Sequence, residues 1–166
     1  MDDHRLMAVL THCGQLPVLE FAPGGVVIPE GPNLGRMYVL VSGEVEILRG
    51  ETQVAHVGVP GAVFGEIAAL IGGPHTATVR ALAPSRLHVI ADVETELRAN
   101  KELALHIARI LARRLVEATT YLADVKAQFA HRQDHFGMVD EVLDALVHHP
   151  GTARTAGSSL DSDPRL

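Results

Sequence analysis

Tryptophan is absent from this chain, cysteine occurs once, at Cys13, and the remaining aromatic residues are two Tyr and four Phe. A single thiol cannot close an intramolecular disulfide, hold an iron–sulfur cluster or build a multi-thiolate zinc site, so the reducing cytoplasm is the expected compartment. So few rings exclude the stacking platforms on which single-stranded nucleic acid is bound. No apolar run of about 18 residues occurs, and Asp2 and Asp3 stand where a signal peptide would be basic; neither a membrane span nor a secretory leader is expected. An excess of positive charge is also missing: 14 Lys plus Arg face 20 Asp plus Glu, a formal net charge of -6. That balance argues against nucleic acid as the main partner, because phosphate binding needs clustered cations. What remains is 166 residues that are 47% hydrophobic and 20% charged, within the globular range for one domain or one domain with an appendage.

Glycine and proline partition the chain. Eleven of fifteen Gly and six of nine Pro lie from Pro23 to Pro84, whereas Gly is missing from Pro74 to Phe136 and Pro from Ser85 to His149. Since both residues punctuate turns and interrupt helices, the first region reads as short strands and the second as long helix. Strands are predicted at Val26–Ile28, Met37–Val41, Val45–Leu48, Val54–Val57, Thr76–Val79 and Arg86–Ile90, with hairpin turns at Ser42-Gly43 and Arg49-Gly50. Strands so short and closely spaced suggest a sandwich, jelly roll or small barrel.

From Asn100 the period changes. Ala104, Ala108, Leu111, Leu115, Ala118, Leu122, Val125 and Phe129 are spaced 4, 3, 4, 3, 4, 3 and 4 residues apart, the seam of a two-stranded coiled coil. Leu103, Ile107 and Ile110 form a second stripe. One stripe resting on the β domain and the other on a second copy would give an isologous homodimer through residues 101–130; the alternative is a helix packed wholly within its own chain. The dimer is preferred because the seam, from Leu111 to Phe129, outlasts the second stripe. The expected organisation is an N-terminal helix within residues 1–15, a β domain over 16–91, helices over 92–131, a further amphipathic helix over 136–149 and a disordered tail over 150–166.

Residues 60–81, PGAVFGEIAALIGGPHTATVRA, interrupt the strands with a helical turn. Gly65 permits close backbone approach, Glu66 opens the turn, and Gly72-Gly73-Pro74 swings the chain into the next strand. Backbone amides over a Gly-rich turn suit an anion, and the adjacent carboxylate accepts from a hydroxyl; a phosphate joined to a sugar hydroxyl satisfies both.

Gly65-Glu66, followed after eight residues by His75 and then Thr76-Ala77, resembles the phosphate-binding cassette (residues 64–77) of the cyclic nucleotide-binding domain family, the CRP/FNR-like superfamily. The Tyr38–Val45 hairpin, Pro60-Gly61 and Leu111–Leu115 are similar to that family too, and the likeness runs from Leu16 to about Phe129. It implies a mainly β fold, a jelly roll or double-stranded β-helix followed by a long dimerisation helix and one more helix. It further implies a cyclic AMP or cyclic GMP ligand, with Glu66 on the ribose 2′-hydroxyl and the backbone of Gly65, Ile67, Ala68, Thr76 and Ala77 around the cyclic phosphate. Thr119 and Thr120 would offer hydroxyls to the base across the dimer. One position departs: where the family usually has Arg, this chain has His75. Imidazole, with a reference pKa of about 6.5, replaces a permanently charged bidentate fork, which leaves three outcomes: weaker binding that favours lower pH, a different anion or sugar phosphate in the pocket, or a relic that stays empty.

His131 and His135 have the i, i+4 spacing of a metal pair, yet no third ligand is in sight, and no metal or cofactor is expected. The absence of any His-x-His motif excludes cupin-type metal chemistry, and no acid/base pair stands beside a nucleophile, so the chain is not expected to be an enzyme. The helix over 136–149 carries Asp140, Glu141 and Asp144 without Lys or Arg, which the duplex would repel. The leading expectation is therefore a regulatory module passing its signal from cassette to long helix and on to an unidentified protein. The alternatives are a ligand-free scaffold of the same fold, or a regulator that binds DNA through dimer helices bearing Arg109, Arg113 and Arg114, or through a partner.

Overall fold

Met37–Ser42 is a nearly unbroken apolar run because the strand it forms, β3, is covered on both faces. Met37 and Val39 face a cluster with Val9, Cys13, Val63, Ile90, Val93, Leu103 and Ile107 on the helical side. Tyr38 and Leu40 face the other way, into a second cluster with Val27, Ile28, Val45, Phe64, Val79 and Leu87 between the sheets. The computed structural model describes residues 9–128 and 137–148. The chain falls into two compact units, Met1–Leu111 and Ala112–Leu166.

In the first unit, residues 9–12 are helical. Eight strands follow: β1 (Val18–Phe21), β2 (Val26–Ile28), β3, β4 (Val45–Arg49), β5 (Thr52–Val57), β6 (Val63–Phe64), β7 (Thr78–Ala81) and β8 (Ser85–Ile90). They pair antiparallel in two four-stranded sheets, ordered β1-β8-β3-β6 and β2-β7-β4-β5. This is the mainly β architecture with a helical appendage that the sequence implied. Helix α1 (Glu66–Ile71) interrupts the strands between β6 and β7, and α2 (Val93–Ala99) follows β8 with Asp92 capping it, the carboxylate accepting from Thr95 N at 3.1 Å. Asn100 then ends α2 and starts α3 (Lys101–Gln128): its Oδ1 accepts from Leu103 N at 3.1 Å and its Nδ2 donates to the His12 carbonyl at 3.2 Å.

Leu103 and Ile107 of α3 are buried in the helical-side cluster, with Ile110 and Leu111 packed against it. Leu111, expected in the intermolecular seam, thus rests on its own core. Its position accounts for this: it is the last seam residue within the unit that ends there. In the second unit, Leu115 and Ala118 are exposed, Leu122 and Val125 half-buried, and a last helix, α4, spans Gly137–His148. Phe129, His131, His135, residues 1–8 and the tail 150–166 lie outside the described residues. Among the described residues, no helix is long and apolar enough to cross a membrane, and no group of three or more His, Cys, Asp or Glu is placed to hold a metal.

Candidate functional site

The pairing of β6 with β3, Phe64 opposite Tyr38 and Val63 opposite Val39, delivers the chain to Gly65 at a fixed point. Gly65 has φ +81°, a left-handed conformation that a Cβ disfavours. Space demands glycine as well: a Cβ there would lie 2.7 Å from the Arg36 carbonyl oxygen, 3.1 Å from Ile28 Cδ1 and 3.7 Å from His75 Cε1. Gly65 therefore brings the cassette against the β2–β3 loop.

Glu66 follows as the first residue of α1 and is only 3% exposed. Of the other α1 residues, Ala68 is buried, whereas Ile67, Leu70 and Ile71 face outward, Ile71 at 81% exposure. Burying the carboxylate while exposing three large apolar side chains inverts the usual helix pattern, and marks this turn as shaped by something other than core packing. Gly72 and Gly73 both have positive φ, 78° and 85°, and turn the chain back. The Ala68 carbonyl at the end of the turn accepts from Gly72 N at 3.0 Å and from Asn33 Nδ2 at 2.7 Å.

His75 is 6% exposed and tied to the β2–β3 loop twice. Its backbone forms an isolated bridge with Gly31, donating at 2.7 Å and accepting at 2.9 Å. Its Nε2 accepts from the backbone N–H of Leu34 at a long 3.4 Å. Because an amide N–H can only donate, Nε2 carries no proton in this arrangement, and the neutral ring holds its proton on Nδ1. Thr76 is exposed and Ala77 half-buried; the Thr76 carbonyl accepts from Arg49 Nε at 3.3 Å, and Thr78 Oγ1 accepts from Glu30 N at 3.0 Å.

The cassette residues Gly65, Glu66, Ala68, His75, Thr76 and Ala77 thus lie on one segment held between the β2–β3 loop and the end of β4. Thr119 and Thr120 belong to the second unit; the Thr119 hydroxyl donates back to its own helix, to the carbonyls of Leu115 and Val116 at 2.9 and 3.0 Å. Arg80 is taken up elsewhere, its Nε and Nη2 both on Glu46 Oε1, at 2.7 and 2.6 Å. Sequence reasoning missed Asn33, Leu34 and Arg49, which bond this segment from the β2–β3 loop and from the end of β4. Ile47 packs on the inter-sheet cluster and opposes Val79. The contacts of Asn33, Leu34 and Arg49 leave no local signal, since their partners are 27 to 41 residues away. A separate groove of about 270 Å³ runs from Leu16 and Pro17 along Val89–Asp92 to Thr95 and Glu96, and no cassette residue lines it.

Residues 18–95 match the family model described as the cyclic nucleotide-binding domain. This part of the chain belongs to that family. Over 117 residues the chain is 30% identical to the CRP-like cAMP-activated global transcriptional regulator of Mycobacterium tuberculosis, in strains CDC 1551 / Oshkosh and ATCC 25618 / H37Rv. The match covers 67% of this chain and 52% of that protein, so the chain spans about half the length of the curated relatives it matches. The N-terminal domain of a transcriptional regulator from Streptomyces coelicolor A3(2) superposes with a TM-score of 0.50 at 29% identity, covering 71% of this chain and 86% of that one. Thermus thermophilus catabolite activator protein gives a TM-score of 0.62 at 22% identity, covering 84% and 75% respectively, which speaks for the fold alone.

Proposed function

We propose that the chain is a non-catalytic sensor module that binds a cyclic nucleotide, cyclic AMP or cyclic GMP, at the Gly65–Ala77 cassette. In this reading Glu66 accepts the ribose 2′-hydroxyl and the backbone of the cassette receives the cyclic phosphate. The observation that carries it is Gly65: a left-handed glycine, closed in by the Arg36 carbonyl, which sets a buried carboxylate at a turn whose apolar residues face outward. A carboxylate accepts from a hydroxyl, so a ligand's sugar hydroxyl is a group that Glu66 can bind. The module acts as a homodimer through the α3 seam, with Thr119 and Thr120 as base contacts across the dimer, and its output passes to another protein.

Thermal unfolding with cyclic AMP, cyclic GMP and buffer tests this. A ligand selective for the native state at 100 times its Kd adds about 2.7 kcal/mol, a rise in Tm of roughly 5–10 °C for a chain of this size. Identical melting curves at millimolar nucleotide would favour the second reading, a ligand-free interaction module of the same fold. The occupation of His75 Nε2 by Leu34 N–H is the observation on that side.

A further inference from the structure

The cassette has a charge deficit that the family arginine would ordinarily correct, and the structure holds a guanidinium in reach of the same backbone. We propose that Arg49, at the end of β4, supplies the fixed positive charge for the ligand's phosphate that position 75 lacks; this rests on the cyclic nucleotide reading above.

Three basic side chains bear on the point. His75 offers its Nε2 as an acceptor to Leu34 N–H, so in this arrangement that nitrogen has no proton to give a phosphate. Arg80 is held by two contacts to the buried Glu46, and drawing it away would strand that carboxylate. Arg49 differs from both. It is exposed, and it shares the strand parity of Val45 and Ile47, the residues of β4 that belong to or pack on the inter-sheet cluster. The irregularity beside it falls on β5, where Val54 is skipped between Ala55 and Gln53, so β4 keeps its alternation up to Arg49. The pairing Leu48 with Thr78 brings the next residue, Arg49, level with the cassette exit. There its Nε bonds the Thr76 carbonyl at 3.3 Å, on the residue adjacent to His75. Nε carries one of five donor hydrogens on a planar fork; the two Nη groups branch from Cζ, one bond beyond the nitrogen anchored on Thr76. The carboxylate nearby, Glu30, is held by Gly50 N at 2.9 Å, so Arg49 reaches the cassette beside a negative group, as the phosphate would have to.

The consequence is a cation relocated from the cassette to the sheet. It predicts that Arg49→Ala weakens cyclic nucleotide binding about 10- to 100-fold, the scale of a lost charge-assisted contact, while Arg49→Lys loses less. Arg86→Ala, which removes an equal charge from an exposed pair with Glu20, leaves affinity unchanged. Calorimetry at pH 7.5 on these variants, together with Arg49→Ala/His75→Arg, is the test, with Tm confirming that each folds. Weak binding by Arg49→Ala that His75→Arg restores supports the proposal, because only the charge at the phosphate is common to both. Wild-type affinity in Arg49→Ala, with the wild type itself binding, overturns it and leaves the cyclic nucleotide reading intact. A loss that neither Arg49→Lys nor His75→Arg relieves also overturns it. A wild type that binds neither nucleotide at millimolar concentration overturns the ligand reading and this proposal together.

Discussion

The imidazole of His75 accepts a hydrogen bond from the backbone N–H of Leu34, across 41 residues of sequence, at 3.4 Å. An arginine in its place has no acceptor to offer that N–H and brings a fixed charge with five donors. His75→Arg is therefore expected to bind cyclic AMP or cyclic GMP about 10- to 150-fold more tightly than the wild type, the equivalent of roughly 1.5–3 kcal/mol. Calorimetry at pH 7.5 checks this; equal affinities would mean that residue 75 does not reach the phosphate.

Gly65→Ala adds a methyl 2.7 Å from a main-chain oxygen at φ +81°. The left-handed conformation alone costs roughly 1–2 kcal/mol in a residue with a Cβ, and the carbonyl of Arg36 cannot move without shifting β3. Lower stability in a denaturant titration, with loss of any nucleotide-dependent rise in Tm, is the expected result. An alanine variant as stable as wild type would show that the cassette has freedom that its packing denies.

Glu46 is 6% exposed, and Arg80 is its charged partner. Arg80→Ala leaves the carboxylate buried and should cost about 2 kcal/mol, below the roughly 3–5 kcal/mol of a wholly buried pair. The discount reflects the 43% exposure of the arginine side chain, which lets water compensate. A fall in Tm of about 4–8 °C is expected, and Glu46→Gln, which removes the stranded charge, should recover part of it in the Arg80→Ala background.

Cys13 is fully buried, and its thiol is pushed up to about 11, by burial first and by the negative charge of Glu96 second. Near pH 8 only about one thiol in a thousand would be ionised, so the native protein should resist iodoacetamide and react once unfolded. The linkage has a definite sign. Below the unfolded value of 9.0 both states keep the proton and stability is unaffected. Between about 9 and 11 the unfolded chain ionises first, so stability must fall as pH rises. Rapid native labelling at pH 8 would contradict the buried setting.

Leu115 leaves 44% of its surface exposed, one turn beyond the last α3 residue packed on the core. If the seam joins two copies, Leu115→Glu should convert a dimer to a monomer in sedimentation without lowering the monomer's secondary structure. A wild type that sediments as a monomer at tens of micromolar would return the seam to its own chain.

The strand-then-helix order was legible because glycine and proline are concentrated between Pro23 and Pro84, and α3 because its seam repeats over about seven turns. Gly65-Glu66 and His75-Thr76 located the cassette segment by their spacing. Three elements left too little pattern. Val63–Phe64 is two residues long, so no period exists to detect. Val18–Phe21 is four residues with a polar interruption. The break between α2 and α3 depends on Asn100, whose capping role shows only when its side chain is seen to bond Leu103 N and the His12 carbonyl. At the site, the tautomer of His75 and the docking of Arg49 on Thr76 arise from contacts between distant segments, which no local propensity encodes.

The β2–β3 loop grips the cassette at its two ends, Asn33 on the Ala68 carbonyl and Gly31 on the His75 backbone. A dye, tag or protease nick placed between Gly31 and Gly35 would therefore be felt 35 to 44 positions downstream in the numbering. For anyone engineering a fluorescent reporter from this protein, the stretch that looks like a harmless connector is the one to leave alone.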